Sequence, residues 1–228
     1  MANLVKQSLG LVFGIMLLAG CTAPASVTPT DNTIPTAAPV KGGAGIGDPY
    51  YPALGNGGYD VQQYTITMDV DPPGNTVTAS TTIEAKATEF LSSFNLDFHG
   101  LAVDSIVVND VEAKYSRSAD ELTVTPVAPL EADKPFTAVV RYHGTPETIT
   151  SGGLSGMGWS HGDSGAINVW GEPDAASTWF PGNNHPRDKA TYRFEITVPD
   201  PWMVAATGTM KETKPNDGRT TYIWEMNK

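Results

Sequence analysis

Beyond about Asp48 the apolar residues recur at every second position, and this period limits the fold more than any other feature of the chain. Tyr64, Ile66, Met68 and Val70 alternate with Thr65, Thr67 and Asp69, and Val77, Ala79, Thr81, Ile83 and Ala85 form a second run. Successive strand side chains point to opposite faces, so each run offers one face to a core and one to water. The segment Asp71-Pro-Pro-Gly-Asn75 between them reads as a turn. Further alternating runs contain Phe94, Leu96 and Phe98; Val103 and Ile106–Val108; Leu122 and Val124; and Phe136, Ala138, Val140 and Tyr142. Tyr192, Phe194, Ile196 and Val198 follow, then Met203 and Ala205, and Tyr222 and Trp224 come after the turn Asn216-Asp-Gly218. Past residue 48 no apolar spacing of three and four is sustained, so the expectation is an antiparallel all-β domain of two packed sheets, a β-sandwich over 48–228. That length buries one sizeable core.

One connection departs from this economy. Hairpins take two to five connecting residues, yet Gly171 to Thr191 holds three prolines, Trp179 and Phe180 between two strand-like segments. The residue before a proline is pushed toward extended backbone, which stiffens the loop at Glu172, Phe180 and His185. Trp179 and Phe180 are expected to anchor the loop on the sandwich by burying aromatic area. Arg187 and Lys189 read as solvated or paired with nearby acids, and the glycine-rich run Gly152 to Gly165 as a flexible surface loop. By residue type alone, Glu172 is an exposed loop acid.

The first twenty residues stand apart. Lys6 precedes an apolar run, Leu9 to Ala19, of about 11 residues, too short for a membrane-spanning helix at ~20 and suited to a secretory signal. The run closes on Leu18-Ala19-Gly20-Cys21, which resembles the lipobox of bacterial lipoproteins. That resemblance implies cleavage before Cys21 and acylation of its thiol, with export and lipid anchoring on the outer face of a bacterial membrane. Cys21 is the only cysteine, so it leaves nothing for a disulfide. Residues 21–47, rich in Thr, Ala, Pro and Gly, read as a disordered tether. About 26 flexible residues reach roughly 30 Å.

The net charge of −11 makes nucleic acid an unsuitable partner, and its scattered acids read as a solvated surface. The four histidines, His99, His143, His161 and His185, read as surface or loop residues. None begins an H-E-x-x-H, and neither a G-x-S-x-G nor a phosphate-binding glycine loop occurs, so no metal set and no catalytic residue is assigned.

From Tyr59 to Val198 the chain resembles the N-terminal domain of the zinc aminopeptidase family that includes aminopeptidase N and leukotriene A4 hydrolase. Ser92 to Val103 and Phe136 to Gly144 are similar to strands of that domain, and the most specific part is E-P-D-A-A-S-T-W-F-P-G-N-N-H-P-R-D-K-A-T-Y. Phe180, Pro181, Pro186, Lys189, Ala190 and Tyr192 match the family's block, while Gly182, Asn184 and His185 stand where Cys, Asp and Glu are usual, and Trp170-Gly171 replaces a Gln-aromatic pair. The resemblance implies a saddle-like β-sandwich whose loop glutamate, here Glu172, binds the free α-amine of a peptide.

It further implies that the zinc and its H-E-x-x-H belong to a following catalytic domain that these residues do not contain. The chain is therefore expected to be the non-catalytic front of a lipid-anchored zinc metallo-aminopeptidase, inactive alone, with a peptide N-terminus, that catalytic domain and the membrane as partners. The strand-like ending at Lys228 is consistent with a sequence that stops inside a larger protein. The alternatives are a stand-alone lipoprotein β-domain that binds peptides or a partner protein at the cell surface, and a structural remnant with no independent role.

Overall fold

The structure, a computed structural model, describes residues 37–151 and 153–227; the signal, Cys21 and most of the tether lie outside these residues. The first strands are β1 (Val40–Lys41), β2 (Tyr59–Asp71), β3 (Thr76–Ala87), β4 (Leu91–Asp97) and β5 (Ala102–Val108). Then come β6 (Val111–Glu112), β7 (Lys114–Ser118), β8 (Glu121–Thr125), β9 (Pro135–Gly144) and β10 (Thr148–Ser151). The last are β11 (Leu154–His161), β12 (Ile167–Trp170), β13 (Thr191–Pro199), β14 (Thr209–Asn216) and β15 (Arg219–Met226).

The all-β expectation holds, but three sheets form rather than two: β14-β15-β13-β2-β3-β9-β5-β6, β1-β4-β8-β7 and β10-β11-β12. Nor is the fold wholly antiparallel. Strand β13 lies parallel to β2, with Tyr192 opposite Tyr64 and Phe194 opposite Ile66, and β1 is parallel to β4. A period of two reports which face a side chain takes and carries no strand direction. A parallel neighbour requires a crossover of a dozen or more residues, and here the crossover from β2 to β13 contains the sheet β10-β11-β12 and, except for β1, the four-stranded sheet.

Order also begins earlier than the boundary at residue 47. The Val40 amide donates to the Phe90 carbonyl at 2.8 Å and the Gly42 amide to that of Ser93 at 2.8 Å. A Cβ on Gly42 would sit 2.9 Å from the Gly57 carbonyl oxygen. The glycine there serves close backbone approach, which composition alone does not distinguish from a flexible linker.

The core lies between the large sheet and the four-stranded one. Phe94 packs on Phe136 with ring centroids 5.2 Å apart and on Tyr59 at 5.7 Å, and Phe98 meets Tyr142 edge-on at 4.9 Å. Edge strand β14 is exposed at every residue and carries Lys211, Lys214 and Pro215, residues that discourage pairing with another chain.

Tyr142 joins the core to the long connection. Its ring is fully buried, and its hydroxyl donates to the Trp179 carbonyl at 3.0 Å and lies 3.1 Å from the Thr81 hydroxyl. Tyr142→Phe leaves that carbonyl unpaired and is expected to destabilise the domain by about 1–2 kcal/mol, measured by urea unfolding.

Candidate functional site

The connection between β12 and β13 divides into an arm and an anchor. The arm begins at Gly171 and contains the 3-10 turn Ala175–Thr178, closed by the Ala175 amide on the Gly171 carbonyl at 2.9 Å and the Thr178 hydroxyl on the Ala175 carbonyl at 2.8 Å. The anchor follows. Phe180 is buried against Tyr64, ring centroids 5.6 Å apart, and Trp179 packs on Phe180 at 4.6 Å and stacks near Phe194 at 6.2 Å. The expected aromatic anchoring is thus present. Arg187 and Lys189 are exposed, as expected.

Polar residues complete the anchor. Asp97 and Gly182 exchange backbone hydrogen bonds at 2.8 and 3.1 Å. The Asn183 amide donates to the Tyr64 hydroxyl at 2.9 Å, its side-chain oxygen accepts from the Asn56 amide at 2.6 Å, and its Nδ2 donates to the Asn56 carbonyl at 3.1 Å and to Asp188 at 2.6 Å. The Asp97 carboxylate accepts from the Asn184 amide at 2.7 Å and from Asn56 Nδ2 at 2.9 Å. Sequence reading missed this network, because paired asparagines in a loop resemble solvated turn residues.

His185 lies in the loop, one of the two places read for it, and is buried there rather than on the surface. Its Nδ1 accepts from the Arg187 amide at 3.1 Å, so Nε2 carries the proton and faces Asp48 at 3.3 Å. The glycine-rich run is a correction: it supplies β11, with Met157, Gly158 and Trp159 buried. His99 and His143 pair with Asp120 and Asp104, each at 2.7 Å, and His161 Nε2 lies 2.8 Å from the Pro72 carbonyl.

Two acids are tuned here. Burial raises Asp97 to about 6 against the opposing amide of Asn184. Burial, then Asp97 itself, raises its cross-strand neighbour Glu121 to about 7. Both folded values exceed the unfolded ones, so the native state binds more protons between about pH 4 and 7, and stability falls as pH rises through that window. Asp48, held low by the Tyr50 and Tyr51 amides, and Asp133, held low by Lys86, act in the opposite sense and only below it. The domain is expected to gain about 2 kcal/mol between pH 8 and 5.5. Glu121, raised mainly by its own burial, supplies the larger share, so Glu121→Gln should remove most of that gain and Asp97→Asn a smaller part, read by urea unfolding at the two pH values.

Glu172 is exposed and lies two residues beyond the end of β12. With Gly171, Pro173 and Trp179 it lines one part of a groove of about 1050 Å³, whose apolar wall includes Phe194, Ile196 and Trp202. Among the described residues no group of three His, Cys, Asp or Glu side chains is placed to hold a metal ion. The arrangement offers a carboxylate on a braced arm beside apolar surface.

The sequence profile of the peptidase M1 N-terminal domain matches residues 60–228. The chain belongs to that family. An M1 zinc metallopeptidase from Deinococcus radiodurans is similar to it at 30% identity and a TM-score of 0.71, over 77% of this chain and 40% of that one. A glutamate-to-alanine mutant of that enzyme, bound to a Tyr-Ser-Ala substrate, matches at 29% and 0.70 over 76% and 40%. A two-domain M1 zinc metallopeptidase mutant bound to L-arginine matches at 29% and 0.72 over 77% and 41%. No curated protein matches the chain. This M1 N-terminal domain therefore spans about 40% of the length of these solved metallopeptidases, and its mixed sheets are the β-domain of the M1 family.

Proposed function

We propose that this M1 N-terminal domain is the non-catalytic front of an exported, lipid-anchored zinc metallo-aminopeptidase, and that Glu172 binds the α-amine of the peptide. Zinc and the residues that activate water belong, on this reading, to sequence outside these 228 residues, and Cys21 carries the acyl anchor.

One observation carries the reading: the exposed carboxylate of Glu172 stands on an arm fixed at its base and lines a groove with an apolar wall. An α-amine has a pKa near 8 and is mostly charged at neutral pH, so a fixed carboxylate selects a free N-terminus and sets which bond reaches the reactive centre. A second domain is the occupant of this groove that the length of the solved relatives supports.

The test is to join residues 21–228 to the catalytic remainder of the Deinococcus radiodurans enzyme. Zinc-dependent hydrolysis of Tyr-Ser-Ala, with the N-acetylated peptide refused, is the expected result. A folded fusion that cleaves neither peptide, or both alike, overturns the reading. Binding of the free-amine peptide by residues 21–228 alone, with no turnover in the fusion, selects the binding module instead.

A further inference from the structure

The three-stranded sheet β10-β11-β12 is small, sits on the arm, and has no part in the reading above. Strand β12 runs into the arm, since Trp170 is followed by Gly171 and Glu172. Its partner across the ladder at that point is Gly158 of β11. The same Gly158 lies against the far end of the arm. A Cβ built on it would fall 2.4 Å from the Thr178 hydroxyl oxygen, 2.9 Å from Thr178 Cγ2 and 3.1 Å from its Cβ. Thr178 is fully buried and its hydroxyl is already committed to the Ala175 carbonyl, so it has nowhere to yield. Gly158 also has φ of +91°, where side chains are rarely tolerated. One residue without a side chain thus pairs two positions before Glu172 and touches the chain six positions after it.

A second contact from the same sheet acts between these points. The Ser151 hydroxyl at the end of β10 donates to the Asp174 carboxylate, and from the other side Asn184 Nδ2 donates to the Asp174 carbonyl. The arm is therefore clamped between the small sheet and the anchor, with Glu172 just outside the clamp.

We infer that Gly158 and Ser151 are positioning residues for Glu172: the small sheet sets where the carboxylate stands, with the close Gly158–Thr178 approach as the main stop. This rests on the amine-anchoring role of Glu172, yet the brace itself is testable without it. In the full chain, amide exchange followed by NMR is expected to rise about tenfold or more at the amides whose bonds close the turn of the arm, in Ser151→Ala and in Gly158→Ala: that of Ala175 on the Gly171 carbonyl, and those of Trp179 and Phe180, whose side chains belong to the anchor, on the Ala176 carbonyl. The amides of Asp97, Gly182 and Asn183, which belong to the anchor, should keep their protection. Ser151→Thr retains the hydroxyl and should restore the wild-type pattern. If arm and anchor amides change together, or neither changes, the brace is overturned. Ser151→Ala gives this readout even where Gly158→Ala does not fold.

The link to Glu172 is read in the fused enzyme. Misplacement of a positioning group by about 1 Å costs up to about 100-fold in rate, so Ser151→Ala should raise KM for Tyr-Ser-Ala by about tenfold. In a Glu172→Ala background the same change should have less than about a twofold effect, because its only route to the substrate is gone. Equal losses in both backgrounds mean the sheet acts by general stability and sink the positioning role. Glu172→Ala without effect by itself would instead sink the amine anchor, while the exchange result would stand.

Discussion

Glu172→Ala in the fused enzyme should cut kcat/KM for Tyr-Ser-Ala by about 100-fold, and Glu172→Gln by about tenfold. The first change removes a charge-assisted hydrogen bond to the substrate ammonium, a contact of about 1.5–3 kcal/mol, and tenfold in rate corresponds to about 1.4 kcal/mol. The amide of glutamine keeps an acceptor and loses the charge, which is why its cost is smaller. Since the carboxylate holds the ground state as well as the transition state, most of the loss should enter through KM. The side chain is exposed and has no partner to strand, so neither variant should change the unfolding midpoint of the chain measurably. Steady-state kinetics on the free-amine and N-acetylated peptides, beside urea unfolding, decide the matter. If alanine at 172 leaves kcat/KM within twofold, this carboxylate does not hold the amine.

The alternation of Tyr64, Ile66, Met68 and Val70 was sufficient to place β2 and its buried face, because side-chain direction follows from local backbone geometry. The same logic located β3, β9 and β13. Direction was not legible: β13 beside β2 is a long-range parallel pairing that no local pattern encodes. The small sheet escaped for a related reason. Its strand β11 contains Gly156 and Gly158, and glycine in a sequence announces flexibility until the structure shows what packs against it. At the site, the stiff arm with Trp179 and Phe180 as anchors was readable from prolines and aromatics. The polar half of the anchor was not. Asn56 and Asn183 lie 127 positions apart, and only the fold brings the amide of one to the side chain of the other.

That hidden half predicts the second large effect. Asn183→Ala should destabilise the domain by about 3 kcal/mol or more, a drop in Tm of about 6–12 °C. Asn56 is almost completely buried, and the substitution strips partners from both its amide and its carbonyl while taking a donor from Asp188. An unpaired buried polar group costs about 1–3 kcal/mol, and two backbone groups are left without this partner at once. The backbone bonds of residue 183 survive, its amide to the Tyr64 hydroxyl and its carbonyl from the His185 amide, since they need no side chain. Asn183→Asp gives a sharper version of the same test. It keeps an acceptor for the Asn56 amide, but it deletes both donors and sets a carboxylate beside Asp188, so its cost should match or exceed that of alanine and shrink on acidification. A loop that merely spans two strands would tolerate either change within about 0.5 kcal/mol. Urea unfolding at pH 8 and 5.5 separates the cases: a small loss for both variants would mean that the buried amides do not hold the arm, and that Glu172 stands on a looser support than these contacts describe.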